Sequence, residues 1–113
     1  MSAIAVPAPP AEAARVVRRF LESLGEGRLV DALDLFSTDA VLIDDGGHAA
    51  KGIRAIAASL LGYRTPRRLD VERIETRGPD VEVAFRREGS GAYRASFSVH
   101  KGRIRSARVH RLA

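Results

Sequence analysis

The sequence predicts an α+β protein in which a curved, mostly antiparallel sheet wraps around N-terminal helices. Apolar residues recur with the helical period in the first half of the chain, whereas from Arg67 onward they alternate with polar residues. The turn signals "GPD", "GSG" and "KG" separate the alternating stretches. We expect a single domain over residues 10–113, preceded by a flexible Ala/Pro-rich tail at residues 1–9.

The first predicted helix begins near Pro10, because proline is favoured at the first helical position, and it stops at Gly25 and Gly27. Its apolar stripe consists of Val16, Val17, Phe20, Leu21 and Leu24. A short second helix follows. Its expected buried face consists of Leu29, Val30, Leu33 and Phe36.

One strand and a third helix come next. The stretch "AVLIDD", residues 40–45, is apolar and β-branched and ends at an Asp-Gly turn signal. A helix is then predicted between Gly52 and Gly62. Its apolar face consists of Ile53, Ile56, Ala57, Leu60 and Leu61.

Four strands are predicted in the second half, at about 68–76, 81–87, 92–100 and 103–110. One set of inward residues is Val81, Val83 and Phe85, and another is Tyr93, Ala95, Phe97 and Val99. Alternation fails around 73–74 and 106–107, which predicts bulges that curve the sheet. A bent sheet around the first helix leaves a concave apolar cavity, the default place for a ligand.

Composition and charge limit the classes of function. The 113 residues are 45% hydrophobic and include no cysteine, so disulfides and thiolate metal sites are excluded. No apolar stretch approaches the ~20 residues of a membrane span, and the N-terminus lacks the basic region of a secretory signal. We therefore expect a cytoplasmic protein that makes no membrane contact.

Positive charge is concentrated in the second half of the chain. Residues 1–63 carry 6 basic and 8 acidic groups, whereas residues 64–113 carry 13 basic and 6 acidic groups. The arginines alternate with apolar residues, as in "DVEVAFRR", which is typical of a solvated sheet face. With 4 Phe, 2 Tyr and no Trp, the chain has too few aromatics for a base-stacking platform, so we expect no nucleic-acid partner.

Three stretches carry a family resemblance: "VVRRFLESLGEGRLVDALDLFSTDAVLIDDGG", "KGIRAIAASLLG" and "SVHKGRIRSARVHRL". In their order and spacing, over about residues 11–112, they resemble the SnoaL-like branch of the nuclear transport factor 2-like superfamily. The resemblance implies a cone-shaped α+β roll. The superfamily includes ketosteroid isomerases, polyketide cyclases, epoxide hydrolases, dehydratases and non-catalytic binding modules, so the fold alone does not select a function.

The ketosteroid isomerases permit a comparison of catalytic positions. Their general-base carboxylate falls on Asp44. Their oxyanion-hole tyrosine falls on Phe20 and their protonated acid falls near Ala95, so neither donor is present. Because donors aimed at a developing enolate supply the largest electrostatic stabilisation, the comparison argues against a steroid isomerase.

A second likeness suggests a regulatory role. The stretch "AVLIDDGGHAAKGIRAIAASLLG" is similar to the SnoaL-like domain at the C-terminus of some extracytoplasmic-function sigma factors. The resemblance implies a module that modulates a partner without catalysis. This chain has no sigma regions, and it has His48 where a further glycine is usual, so we expect a free-standing relative.

Asp44 is the candidate general base, and two roles remain open for it. It shares a strand face with Leu42, so apolar walls would raise the pKa of its carboxyl group and permit proton transfer. Alternatively, its carboxylate accepts backbone N–H groups in an Asx turn before Gly46. The turn role is the expectation for Asp45.

His48 and His110 are the candidate partners of Asp44 in a proton relay. His110 shares the face parity of Ile104, and thus faces the cavity, if no bulge intervenes. The 3 histidines have no metal-ligand spacing, so we expect no metal and no cofactor. The expected ligand-contacting residues are Phe20, Leu42, Leu60, Phe85, Tyr93, Ala95 and Phe97.

Together these observations predict a small protein that binds an apolar small molecule in its cone. Isomerase, cyclase, hydratase or hydrolase chemistry at Asp44 remains open. The alternative is a non-catalytic ligand-sensing or protein-interaction module. We also expect a homodimer through the outer sheet face, where Glu72, Glu82 and Glu88 are candidate partners for the arginines.

Overall fold

The computed structural model describes residues 10–112, in which helices pack against one curved sheet. Helix α1 spans Pro10–Gly25, α2 spans Leu29–Leu33 and α3 spans Ile53–Leu60, followed by a 3₁₀ turn at Leu61–Tyr63. Strands β1 to β6 span Phe36–Ile43, Ala49–Lys51, Leu69–Arg77, Asp80–Arg87, Gly91–His100 and Arg103–Arg111. None of these helices is long and apolar enough to cross a membrane. The tail predicted at 1–9 lies outside the described residues.

The six strands lie in the order β2-β1-β6-β5-β4-β3, so the last strand of the chain occupies the middle of the sheet. Strands β1 and β6 are parallel, and every other neighbouring pair is antiparallel. Helix α1 contacts β3, β4, β5 and β6. The predicted α+β class, with a mostly antiparallel sheet around the first helix, is confirmed.

Helix α1 presents its apolar stripe to the concave face of the sheet. Val17, Phe20 and Leu21 are buried, because spacings of three and four residues place them on one side of the helix. The Phe20 ring makes edge contacts with the rings of Phe36 and Phe97, at centroid distances of 5.2 and 5.7 Å. Such pairs contribute about 1 kcal/mol beyond the burial of their area, so Phe20 links the helix firmly to the sheet.

Two irregularities bend the sheet in its second half. On β3 the register against β4 shifts between Val71 and Arg73. On β6 the register against β5 shifts between Ile104 and Ser106. Both lie beside the positions where the sequence alternation fails. Because an extra residue reverses the alternation beyond it, Ile104 and Val109 both face inward although their numbers differ in parity.

Some details of the predicted elements are wrong. Phe36 is the first residue of β1 rather than part of α2, and it is buried there. Val30 is 71% exposed, because a helix of five residues turns only one narrow face to the core. Leu61 is 54% exposed, since it lies in the 3₁₀ turn beyond α3. The short strand β2 was not predicted, because "AAK" contains no residue with high strand propensity.

Candidate functional site

An apolar cavity lies between α1, α3 and the concave face of the sheet. Its volume is about 140 Å³. The apolar part of its wall consists of Phe20, Leu21, Leu24, Leu42, Leu60, Phe85, Ala95, Phe97 and Val109. Sites for drug-sized ligands are larger, roughly 300–1,000 Å³, whereas an apolar cavity of about 150 Å³ engineered in another protein accommodates benzene. The cavity therefore matches a molecule of about benzene's size.

Four polar side chains complete the wall of this cavity: Asp44, Asp45, Ser59 and Tyr63. Asp44 and Asp45 directly follow β1, Ser59 lies on α3, and Tyr63 ends the 3₁₀ turn. A small number of polar groups on an apolar wall is the usual composition of a site that fixes a ligand's orientation.

The segment "LIDDGGH" closes the hairpin between β1 and β2. The backbone N–H of Asp44 donates to the carbonyl of His48 at 3.0 Å, and the N–H of Gly47 donates to the carbonyl of Asp44 at 3.0 Å. Gly47 has a φ of 83°, in the left-handed region that glycine adopts without a steric penalty. Three-residue hairpin loops with such a glycine are common, so the segment has a well-defined structural role.

The Asp44 side chain stabilises this turn through one of its two oxygens. Oδ1 accepts hydrogen bonds from the N–H groups of Gly46 and His48, both at 2.9 Å. The bond from His48 is the main reason that the pKa of the Asp44 carboxyl lies below its ordinary value. Desolvation opposes this lowering, and the Gly46 bond adds to it. Asp44 is therefore ionised at neutral pH and is a weaker base than a free aspartate. The geometry favours the turn role.

Neither candidate histidine lines the cavity. The side chain of His48 is 85% exposed, although its Nδ1 lies 3.4 Å from Oδ1 of Asp44. The prediction that His110 faces the cavity assumed that no bulge interrupts the last strand. The register shift on β6 shows that a bulge is present. His110 is exposed, whereas its neighbour Val109 lines the cavity. Within residues 10–112, no three acidic or histidine side chains group as a metal site would require.

Tyr63, which no sequence pattern singles out, is held beside the cavity by Arg87. Cζ of Arg87 lies 4.3 Å from the centroid of the Tyr63 ring, a cation–π distance. The same guanidinium donates to the carbonyl of Gly62 at 3.2 Å. Burial raises the pKa of Tyr63 above its ordinary value; the charge of Arg87 opposes this, and the carboxylates of Asp44 and Asp45 add to the rise. The hydroxyl group therefore stays protonated at neutral pH and is available as a hydrogen-bond donor.

Six of the seven residues predicted to contact a ligand line the cavity: Phe20, Leu42, Leu60, Phe85, Ala95 and Phe97. Tyr93 is buried outside it, with its ring stacked on Phe85 at a centroid distance of 5.3 Å. Sequence reasoning missed Leu21, Leu24, Asp45, Ser59, Tyr63 and Val109 as lining residues. The turn role expected of Asp45 belongs to Asp44, whose Oδ1 accepts the N–H groups of the turn. Val109 could have been found only by placing the bulge on β6 correctly. That these residues bind a ligand stays a prediction.

Comparisons with known proteins identify the family. A family model described as a SnoaL-like domain matches residues 17–112. A search of curated protein sequences finds no match. A de novo designed protein with a curved β-sheet has a TM-score of 0.82 at 20% identity, covering 93% of this chain and 88% of that chain.

Two natural proteins show the same fold. An LEH-like epoxide hydrolase from M. tuberculosis has a TM-score of 0.74 at 23% identity, covering 89% of this chain and 83% of that chain. A putative ketosteroid isomerase from Kribbella flavida has a TM-score of 0.79 at 14% identity, covering 92% and 80%. At identities of 23% and 14%, the similarity of these two proteins to this chain shows a shared fold and does not show a shared activity. Because the family model extends from α1 to the end of β6, this chain belongs to the SnoaL-like domain family.

Proposed function

We propose that this protein binds a small apolar molecule in the cone between α1 and the sheet. The observation that carries the proposal is the cavity of about 140 Å³, whose wall is apolar apart from four polar side chains. An apolar wall supplies affinity through burial, while a few polar groups set the orientation of the ligand.

The volume favours single-ring ligands over steroids or polyketides. A ligand of about eight non-hydrogen atoms, at roughly 0.5 kcal/mol per atom, binds with about −4 kcal/mol, which is a Kd on the order of 1 mM. This affinity sets the concentration range for a binding assay.

Within this proposal Asp44 is a fixed charge that orients the ligand rather than a base that takes up a proton. A general base works best when its pKa lies near the working pH, whereas the hydrogen bonds to Asp44 lower the pKa of its carboxyl. Phe20 and Ala95, at the positions where ketosteroid isomerases have oxyanion donors, line the cavity without a donor. Both observations favour the ligand-sensing alternative over isomerase, cyclase or hydratase chemistry at Asp44.

A titration with benzyl alcohol, followed by ¹³C-methyl NMR, tests the proposal. We expect the methyl signals of Leu42, Leu60 and Val109 to shift along one saturable curve. Ala95→Leu, which fills the cavity, should abolish these shifts. The control Ala58→Leu adds the same three carbon atoms on the exposed side of α3 and should leave the ligand-induced methyl shifts intact. Shifts that persist in Ala95→Leu, or that occur only at surface methyls, would contradict the proposal.

We also propose a homodimer formed through the outer face of the sheet. Ser96 lies on this face between Glu82 of β4 and Arg108 of β6, so the face carries both acidic and basic side chains beside a small one. The described residues form five ion pairs between arginines and carboxylates, and neither Arg94 nor Arg108 takes part in them. Glu72 already pairs within the chain, so Glu82 and Glu88 remain, and Glu82, opposite Ser96 on β5, is the acidic partner that we propose across a two-fold axis.

A further inference from the structure

The polar groups that line the cavity have an unusual charge balance for this protein. Two of the four are carboxylates, those of Asp44 and Asp45, and the others are the neutral Ser59 and Tyr63. Within residues 10–112, no lysine, arginine or histidine lines the cavity, although the whole chain carries a net charge of +5. The cavity therefore has an acidic wall in a basic protein.

Asp44 keeps one carboxylate oxygen free for a ligand. Oδ1 receives both backbone hydrogen bonds and faces Nδ1 of His48, while Oδ2 forms no hydrogen bond with any residue from 10 to 112. Asp44 lines the cavity and its side chain is 37% exposed, so a ligand in the cavity can reach it. Because the backbone already holds the carboxylate in place, a ligand gains its interaction at little cost in side-chain entropy.

Aromatic rings supply a second attraction for positive charge. The lining rings are those of Phe20, Tyr63, Phe85 and Phe97. The face of an aromatic ring carries negative potential and attracts ammonium and guanidinium groups. The guanidinium of Arg87 already occupies one face of the Tyr63 ring at 4.3 Å, so the rings of Phe20, Phe85 and Phe97 are the ones left to a ligand cation. Rings and carboxylates together thus favour a cation with an apolar body.

We infer that the cavity selects small organic ammonium ions over neutral and anionic molecules of the same shape. The inference rests on the proposed binding function and adds a charge class to it. One cation–π contact and one partly exposed ion pair together correspond to a preference of about tenfold over a neutral isostere. The carboxylates should exclude anions altogether.

Three probes of matched shape test this inference: benzylamine, which is a cation at neutral pH, benzyl alcohol and benzoate. In the methyl NMR titration at pH 7, we expect benzylamine to bind about tenfold more tightly than benzyl alcohol and benzoate to show no saturable shift. Asp44→Asn and Asp45→Asn should each weaken benzylamine binding several-fold and weaken benzyl alcohol binding less, which narrows the preference for the cation. Asp80→Asn removes an exposed charge that does not line the cavity and serves as the control.

The outcomes separate the inference from the proposed function. Equal affinities for benzylamine and benzyl alcohol at the cavity methyls would overturn the charge preference and leave the binding function intact. Absence of saturable shifts with all three probes would overturn both. An equal loss of benzylamine binding in the Asp80→Asn control would attribute the preference to overall charge and would also overturn the inference. Should Asp44→Asn disturb the turn, Asp45→Asn carries the same test.

Discussion

Filling the cavity should stabilise the folded protein, at the expense of binding. Ala95 lies on β5, is 0% exposed and lines the cavity, with Val83 and Val109 as its cross-strand neighbours. Ala95→Leu adds three carbon atoms at a point where a cavity of about 140 Å³ can receive them. The added atoms should contact the cavity wall without displacing the backbone.

The size of this effect follows from the area removed from water. Each buried methylene-sized group contributes about 0.8 kcal/mol, so three give an upper limit of about 2.4 kcal/mol. Fixing the leucine rotamer costs roughly 0.5–1 kcal/mol. We therefore expect the free energy of unfolding to rise by about 1.5 kcal/mol and Tm by about 6 °C for a domain of this size.

Urea unfolding followed by circular dichroism measures this change. Ala107 is buried on the concave face but does not line the cavity, so Ala107→Leu is the matched control. Overpacking at that position should lower stability by roughly 1–3 kcal/mol. If Ala95→Leu destabilises the protein as much as Ala107→Leu does, the cavity does not exist in solution as described.

Asp44→Ala should lower the urea midpoint more than Asp44→Asn, because asparagine retains an oxygen that accepts the N–H groups of the turn; equal midpoints would contradict the turn role. Since folding lowers the pKa of Asp44, its carboxylate stabilises the folded state above the ordinary aspartate pKa and ceases to do so as pH falls through the lowered value. The wild type should therefore lose stability relative to Asp44→Asn over that acidic range, and parallel curves would refute this. Subtracting the ultraviolet titration of Tyr63→Phe from that of the wild type should show Tyr63 ionising above the ordinary tyrosine pKa, and an ordinary or lower value would refute its burial. Light scattering at micromolar concentration should give twice the monomer mass of 12.2 kDa, and Glu82→Arg should give the monomer; a monomeric wild type would exclude the dimer.

The fold was largely predictable because periodicity is a local signal. The stripe through Phe20 and the alternation through Ala95 and Phe97 each depend on residues that are close in sequence, and the structure buries all three. Phe36 was misplaced because an apolar aromatic residue suits the end of a helix and the start of a strand equally well.

The candidate site was predictable only in part. The outward orientation of His110 depends on the exact position of a bulge, and one residue of difference reverses every side chain beyond it. Tyr63 lies in a 3₁₀ turn after α3, where neither the helical period of about 3.6 residues nor the strand period of about 2 residues predicts which way a side chain faces. The role of Asp44 could not be decided from sequence, because a turn and a site use the same residues. The hydrogen bonds that Oδ1 of Asp44 accepts from the N–H groups of Gly46 and His48 distinguish the two roles. These bonds become visible only in the three-dimensional structure.

A crystal structure of the protein soaked with benzylamine, well above the expected Kd, locates the ligand outright. We expect the benzyl ring inside the cavity between Phe20 and Phe97, with the nitrogen about 3 Å from Oδ2 of Asp44 or from the carboxylate of Asp45. An empty cavity, with benzylamine bound only to exposed carboxylates elsewhere, would contradict both the binding site and its preference for cations.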